Sequence, residues 1–205
     1  MEKERTLSKR ETERKLLFDA KAAQLTAEGY TQEPLTMGIV KANILSLFLP
    51  LPFIALMALL WMRSGQELYF AFEVILLCPL LIVLTVLHEL IHGFVWGLFC
   101  KSHWKDIEFG IIWKMLTPYC TCGGALTKAQ YIAGSFMPTL VLGLGLGVLS
   151  VFIGNVLLFL AAEIMILGGG GDLIVIAKLL LFPKKGRTCL FFDHPTELGL
   201  VVFYK

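Results

Sequence analysis

The residues best suited to chemistry are His88-Glu89-Leu90-Ile91-His92. Two histidines four positions apart fall on one face of a helix, one turn above the other, so both can offer a ring nitrogen to one metal ion. The glutamate after the first histidine stands beside that metal, free to act on a water. This is the H-E-x-x-H pattern of zinc hydrolases, with the carboxylate as general base. The flanks sharpen the signal. Leu80-Leu81-Ile82-Val83-Leu84 precedes the motif and Phe94-Val95-Trp96-Gly97-Leu98-Phe99 follows it. Three ionisable groups therefore interrupt a helix otherwise suited to lipid. Each costs about 2.5–3.5 kcal/mol at mid-membrane, and is tolerated where it faces a bundle interior, a metal or water. The plainer alternative is a pair of histidines hydrogen-bonding between helices beside a neutral Glu89.

A catalytic zinc site needs a third protein ligand and one open position for water. Asp172 is the leading candidate, an acid deep in an apolar run just after Gly168-Gly169-Gly170-Gly171. Glu163, Asp193, His194 and His103 are other candidates. Depth favours Asp172. His88 lies about 18 Å of helix from Cys100, and Asp172 about 15 Å from Phe182, so the two levels match. Glu163 would sit roughly 14 Å further toward the opposite face. Cys120 and Cys122 could hold a separate metal, but a lone C-x-C is a weak signal.

The elements that must carry these residues are apolar helices. The chain has 205 residues, 57% of them hydrophobic, and a mean hydropathy of +0.74. That exceeds an ordinary soluble domain and points to a polytopic membrane protein. Four spans are expected: about Ala42 to Met62, Tyr69 to Phe99, Ile132 to Ile153 and Val156 to Phe182. Pro50, Pro52 and Pro79 kink the first two, and Glu73 is placed near the membrane interface. The small residues Gly143, Gly145 and Gly147 allow close helix approach in the third. The glycine run predicts a break in the fourth, and removes side-chain bulk where that helix must approach His88 and His92.

Between spans two and three, residues 101–131 turn polar. Ile107, Phe109, Ile111 and Ile112 alternate, and Pro118 and Gly123-Gly124 punctuate the stretch. One or two short strands, or a re-entrant hairpin, are expected, with an edge that an extended substrate could join. A plain connecting loop is the alternative. Residues 1–40 form either a surface helix or a partly disordered tail, and residues 184–205 a polar tail around a transmembrane domain of residues 41–183. The fold class expected is an all-α membrane protein of about four transmembrane helices, with a short cytoplasmic strand or hairpin segment between helices two and three.

Net charge is only +2, and no nucleic-acid partner is expected. The distribution matters more. Eight basic residues precede or include Lys41; Arg63 stands alone after the first span; Lys101, Lys105, Lys114 and Lys128 follow the second; Lys184, Lys185, Arg187 and Lys205 lie in the tail. The positive-inside rule puts both termini and residues 101–131 in the cytoplasm. No cleavable signal peptide is visible. Five cysteines give no disulfide framework, and Cys120 and Cys122, too close for a standard structural bridge, are expected to be reduced and to face the cytoplasm.

His88-Glu89-Leu90-Ile91-His92-Gly93, Pro118-Tyr119-Cys120, Pro138 and Gly171-Asp172 together resemble the bacterial putative-zincin membrane peptidases, a family described as a domain of unknown function. The resemblance runs from about Leu77 to Gly199. More distantly the chain is similar to site-2 proteases, although Gly171-Asp172-Leu173 stands where those enzymes carry Asn-Pro and Leu-Asp-Gly. The resemblance implies one zinc ion per chain on His88, His92 and Asp172, with Glu89 as the base, in a bacterial plasma membrane. Phe109, Pro118, Tyr119 and Cys120 are the substrate-binding candidates. The substrate would be a membrane protein or peptide, cut in or beside the bilayer. Two rival classes are a zinc-binding accessory protein without proteolysis and a small ion- or proton-coupled transporter. Oligomeric state is not legible.

Overall fold

The computed structural model describes residues 7–67, 73–112, 117–183 and 186–205. Lys3, Arg5, Lys114, Lys184 and Lys185, five of the basic residues in the orientation argument, lie outside the described residues, as does the start of the second span at Tyr69. Nor is the Glu73 side chain described.

Helices dominate. Helix α1 (Lys9–Ala27) starts with Ser8, which with Glu11 forms a capping box. Strand β1 (Thr31–Thr36) leads to α2 (Ile39–Phe48) and α3 (Leu51–Arg63), which together make an apolar stretch of 25 residues. Helix α4 (Glu73–Phe99) carries His88 and His92, with Pro79 inside it. It is long enough to cross a bilayer, about 40 Å. Strands β2 (Ile107–Ile112) and β3 (Thr117–Cys122) follow as an antiparallel hairpin. Helix α5 (Lys128–Pro138) opens on a Thr127–Gln130 capping box. It runs through a π-helical segment, Thr139–Gly145, into α6 (Leu146–Ile153), which Gly154 ends in a left-handed conformation. Helix α7 (Val156–Gly168), capped by Asn155, and α8 (Gly170–Leu181) are bent 44° apart. Strands β4 (Cys189–Asp193) and β5 (Gly199–Tyr204) close the chain. Among the described residues three helical stretches are long and apolar enough to span a membrane, or four if the bent pair counts as one.

Two expectations need correction. The fold is not all-α: besides the hairpin there is a three-stranded sheet in the order β1-β5-β4. Its strands come from the two polar ends, read from sequence as a helix or loose tail and a polar tail. Strand β5 is central and covered on both faces. Leu200 and Val202 pack with Trp96, Leu179 and Phe191. Val201 and Phe203 pack with Phe18, Ala22 and Leu25 of α1. Pro34 is tolerated because β1 is an edge strand.

The second correction concerns the glycine run, which breaks the helix as expected but not to make room for His88 and His92. A side chain at Gly169 would strike the Thr139 hydroxyl, and one at Gly170 would strike the Ser46 carbonyl of α2. The run lets the bent pair lie against α2 and the π-helical segment.

Candidate metal centre

Every fourth residue from Leu84 of α4 to Cys100 just past its end is buried: Leu84, His88, His92, Trp96 and Cys100. Spaced at 400° of helical rotation, these side chains form a slowly drifting stripe that faces the other helices while Ile82, Val86, Leu90 and Phe94 face outward. His88 and His92 are 7% and 4% exposed. Their rings stand edge to face at 4.8 Å, and His92 stacks on Trp96 at 5.0 Å with planes 15° apart.

Helix α8 supplies the partner. Asp172 Oδ2 lies 3.2 Å from His88 Nε2 and Oδ1 lies 3.3 Å from His92 Nε2. Asp172 stands in the first turn of α8, and its oxygens go to the histidines. One donor atom from each of the three residues falls within 4.8 Å of the others.

The donor set fits a zinc ion. His92 Nδ1 donates to the Gly134 carbonyl at 2.9 Å; a carbonyl can only accept, so Nδ1 carries the proton. Neutral His92 then aims the lone pair of Nε2 at a carboxylate oxygen, an arrangement that calls for a cation or a proton between them. Ligands around tetrahedral zinc lie roughly 3.3 Å apart, given bonds of about 2.0–2.1 Å. The two nitrogen–oxygen separations, 3.2 and 3.3 Å, have that size, within a donor group that spans up to 4.8 Å.

Glu89 is half-buried on the same turn and is outside the metal-ligand group. Its carboxylate accepts the backbone N–H of Cys120. This fixes the direction of β3. Cys120 pairs with Phe109 across the hairpin, so an N–H turned to Glu89 makes that a non-hydrogen-bonded pair, with Cys120 N–H and C=O both facing away from β2. Cys122, two residues on, follows suit: its N–H goes to Asp193 Oδ2 at 2.7 Å.

The remaining substrate-binding candidates divide between the two faces of the hairpin. Phe109 lies against α4, where its ring occupies the space a side chain at Gly93 would need. Pro118 pairs with Ile111 on that face. Tyr119 points the other way, over Gly110 and 5.5 Å from the Arg14 guanidinium of α1.

The other ligand candidates have different partners. Asp193 ties three elements together, accepting from Cys122 N–H and from the Tyr131 hydroxyl. Burial pushes its carboxyl above the usual range. His194 Nδ1 accepts the N–H groups of Thr196 and Glu197, and burial lowers its basicity. His103 Nδ1 bonds the Gly97 carbonyl. Both Glu163 oxygens are buried without a partner among the described residues.

All five cysteines are free. Cys100 and Cys122 face each other with sulfurs 2.8 Å apart. The bond from Cys122 to Cys100 pushes the Cys122 thiol up, and burial does the same to Cys120.

The sequence reading missed the structural tie at Asp193, the supporting ring of Trp96 and the carbonyl of Gly134. Trp96 was open to discovery, being one further helical turn beyond His92. No local signal marks Asp193 as a partner of β3, because the contact spans 71 residues.

A family profile described as "Putative zincin peptidase" (DUF3267) matches residues 80–186, more than half of the chain. The matched region holds His88, Glu89, His92, the hairpin and Asp172. No curated protein and no solved structure matches the chain.

Proposed function

The chain belongs to the putative zincin peptidase family, and from that premise we propose that it is a zinc-dependent, membrane-embedded peptidase acting on membrane-associated proteins or peptides. The observation that carries the reading is the convergence of His88, His92 and Asp172 beside Glu89. His88, His92 and Asp172 would hold one zinc ion, which when bound supplies Lewis acidity and lowers the pKa of a water toward about 7. Glu89 removes the proton of the attacking water and delivers it to the leaving amine. The Cys120 N–H steadies the Glu89 carboxylate. The outward edge of β3 offers the carbonyls of Pro118 and Cys120 to a substrate held as an extended strand, with Phe109 and Tyr119 on its two faces. A helical substrate would have to unwind first, since each helical carbonyl is occupied by its own hydrogen bond.

The sheet supports an even number of membrane crossings. Strand β1 precedes the first apolar stretch and β5 follows the last, and they pair directly, Thr31 with Tyr204 through Thr36 with Gly199. Both ends therefore share one side. Leu126, just before the third stretch, bridges to Phe191 of β4, so the hairpin region lies on that side as well. Two crossings before it and two after it make the bent pair α7–α8 a full span. The basic residues assign that side to the cytoplasm, with a bacterial plasma membrane as the setting.

The test is Glu89→Gln in purified protein, with zinc content and cleavage of a membrane-peptide library measured together. Retained zinc and abolished cleavage are expected. Cleavage near the wild-type rate would remove Glu89 from its role. Zinc-loaded wild type that cleaves nothing would favour a non-proteolytic zinc-binding accessory protein. A proton-coupled transporter would instead move protons or ions across vesicles carrying the wild-type chain.

A further inference from the structure

We propose that Pro138 is a positioning residue for the metal centre: by lacking an N–H it leaves the Gly134 carbonyl to His92, fixing that ring with Nδ1 protonated and Nε2 turned toward Asp172. The proposal deepens the metal-site reading above and rests on it for its second measurement only.

In an α-helix the carbonyl of residue i accepts from the N–H of residue i+4. Gly134 and Pro138 are so related at the end of α5. Proline has no N–H to give. The next residue, Thr139, sends its N–H to the Phe136 carbonyl. The Gly134 carbonyl accepts instead from His92 Nδ1 at 2.9 Å, a buried bond between elements 42 residues apart. The need is mutual. A carbonyl freed by proline inside an apolar bundle must find a donor, and a metal-binding histidine needs an acceptor for its second nitrogen to set its tautomer and orientation.

The surroundings fit this use. Gly134 and Pro138 are both buried. The Trp96 indole fills the space where a Gly134 side chain would stand, donates through Nε1 to the Tyr131 carbonyl at 3.3 Å, and stacks on the His92 ring. The absence of a Cβ thus brings the α5 backbone to α4, the absence of an N–H keeps one carbonyl available, and the indole holds the imidazole plane.

An ordinary residue at 138 would bring an N–H that competes for the same oxygen. A carbonyl has two lone pairs, so competition weakens the bond to His92 rather than abolishing it. Outer partners of metal ligands are worth about 10–100-fold in metal affinity, and a loss at the lower end is expected.

The experiment uses full-length protein in detergent with 15N-labelled histidine. Three forms are compared: wild type, Pro138→Ala, and the chain with lactic acid at position 138. Lactic acid introduces an ester that, like proline, has no N–H. Metal-free protein is examined by long-range 1H–15N spectra at about pH 10, above the ordinary histidine range. Zinc affinity is measured by chelator competition. Wild type and the ester should show His92 as the Nδ1–H tautomer and bind zinc within about twofold of each other; Pro138→Ala should populate the Nε2–H tautomer and bind about tenfold more weakly. Pro138→Ala with an unchanged tautomer overturns the proposal. An ester form that behaves like Pro138→Ala also overturns it, because the ring and not the missing N–H would then matter. A wild type that binds no zinc ends the metal-site reading, while the tautomer spectra still decide the role of Pro138.

Discussion

Replacing Asp172 by asparagine keeps the volume and removes the charge from the side chain whose two oxygens face His88 and His92. The carboxylate oxygens sit 3.2 and 3.3 Å from His88 Nε2 and His92 Nε2, so each histidine loses its charged neighbour. The amide nitrogen cannot serve as a ligand, and the remaining oxygen is a weaker one. Removing only the outer partner of a metal ligand costs about 10–100-fold; losing a donor itself should cost at least the lower figure, about 1.4 kcal/mol. Metal-free protein should hardly change. The Asp172 oxygens face the histidines, and the loss of those contacts is worth about 1 kcal/mol in stability. A fall in affinity would therefore not be a fall in folding. The assay is competition with a zinc chelator across wild type, Asp172→Asn and Glu163→Gln, with cleavage followed in parallel. Asp172→Asn should bind at least tenfold more weakly and not cleave; Glu163→Gln should match wild type in both. An Asp172→Asn protein with wild-type affinity and activity would refute the assignment and send the search to residues 101–131 or the C-terminal segment.

Single cysteines at Ser64 and Ser102, in a cysteine-free background, should be labelled from opposite sides of sealed vesicles; labelling from one side would break the four-span arrangement. Native Cys120 and Cys122 should resist iodoacetamide at about pH 8.5, where an ordinary thiol is half ionised and reactive. Burial raises the first thiol, and its bond to Cys100 raises the second. Both should react at once in denaturant, and rapid labelling of Cys120 in the folded protein would contradict its packing against α4.

What could be read in advance follows from range. His88 and His92 are one helical turn apart, so their shared face is a local property of spacing. Asp172 was within reach because depth can be counted from a helix end. The bend falls at Gly169, before α8, and leaves the run from Asp172 to Leu181 straight. The hairpin announced itself through alternation and through Pro118 and the paired glycines. The sheet did not. Leu200-Val201-Val202-Phe203 is a continuous apolar run without a period, as a strand covered on both faces must be. Its partner β1 lies at the other end of the chain. The glycine run was read correctly as a break but with the wrong neighbour, since nothing local reveals that α2 passes at Ser46.

The pairing of β1 with β5 also has a consequence in time. A ribosome delivers residues 31–36 early and residues 199–204 only after the helices α1 to α8 have been made. Until then β1 has no partner, and β4 lacks its own. Asp193, which rides on β4, cannot yet grip the Cys122 N–H, and the edge beside Glu89 has no fixed course. The two histidines can already meet Asp172 at that stage. Order of synthesis thereby brings these three side chains together before the course of β3 beside them is settled.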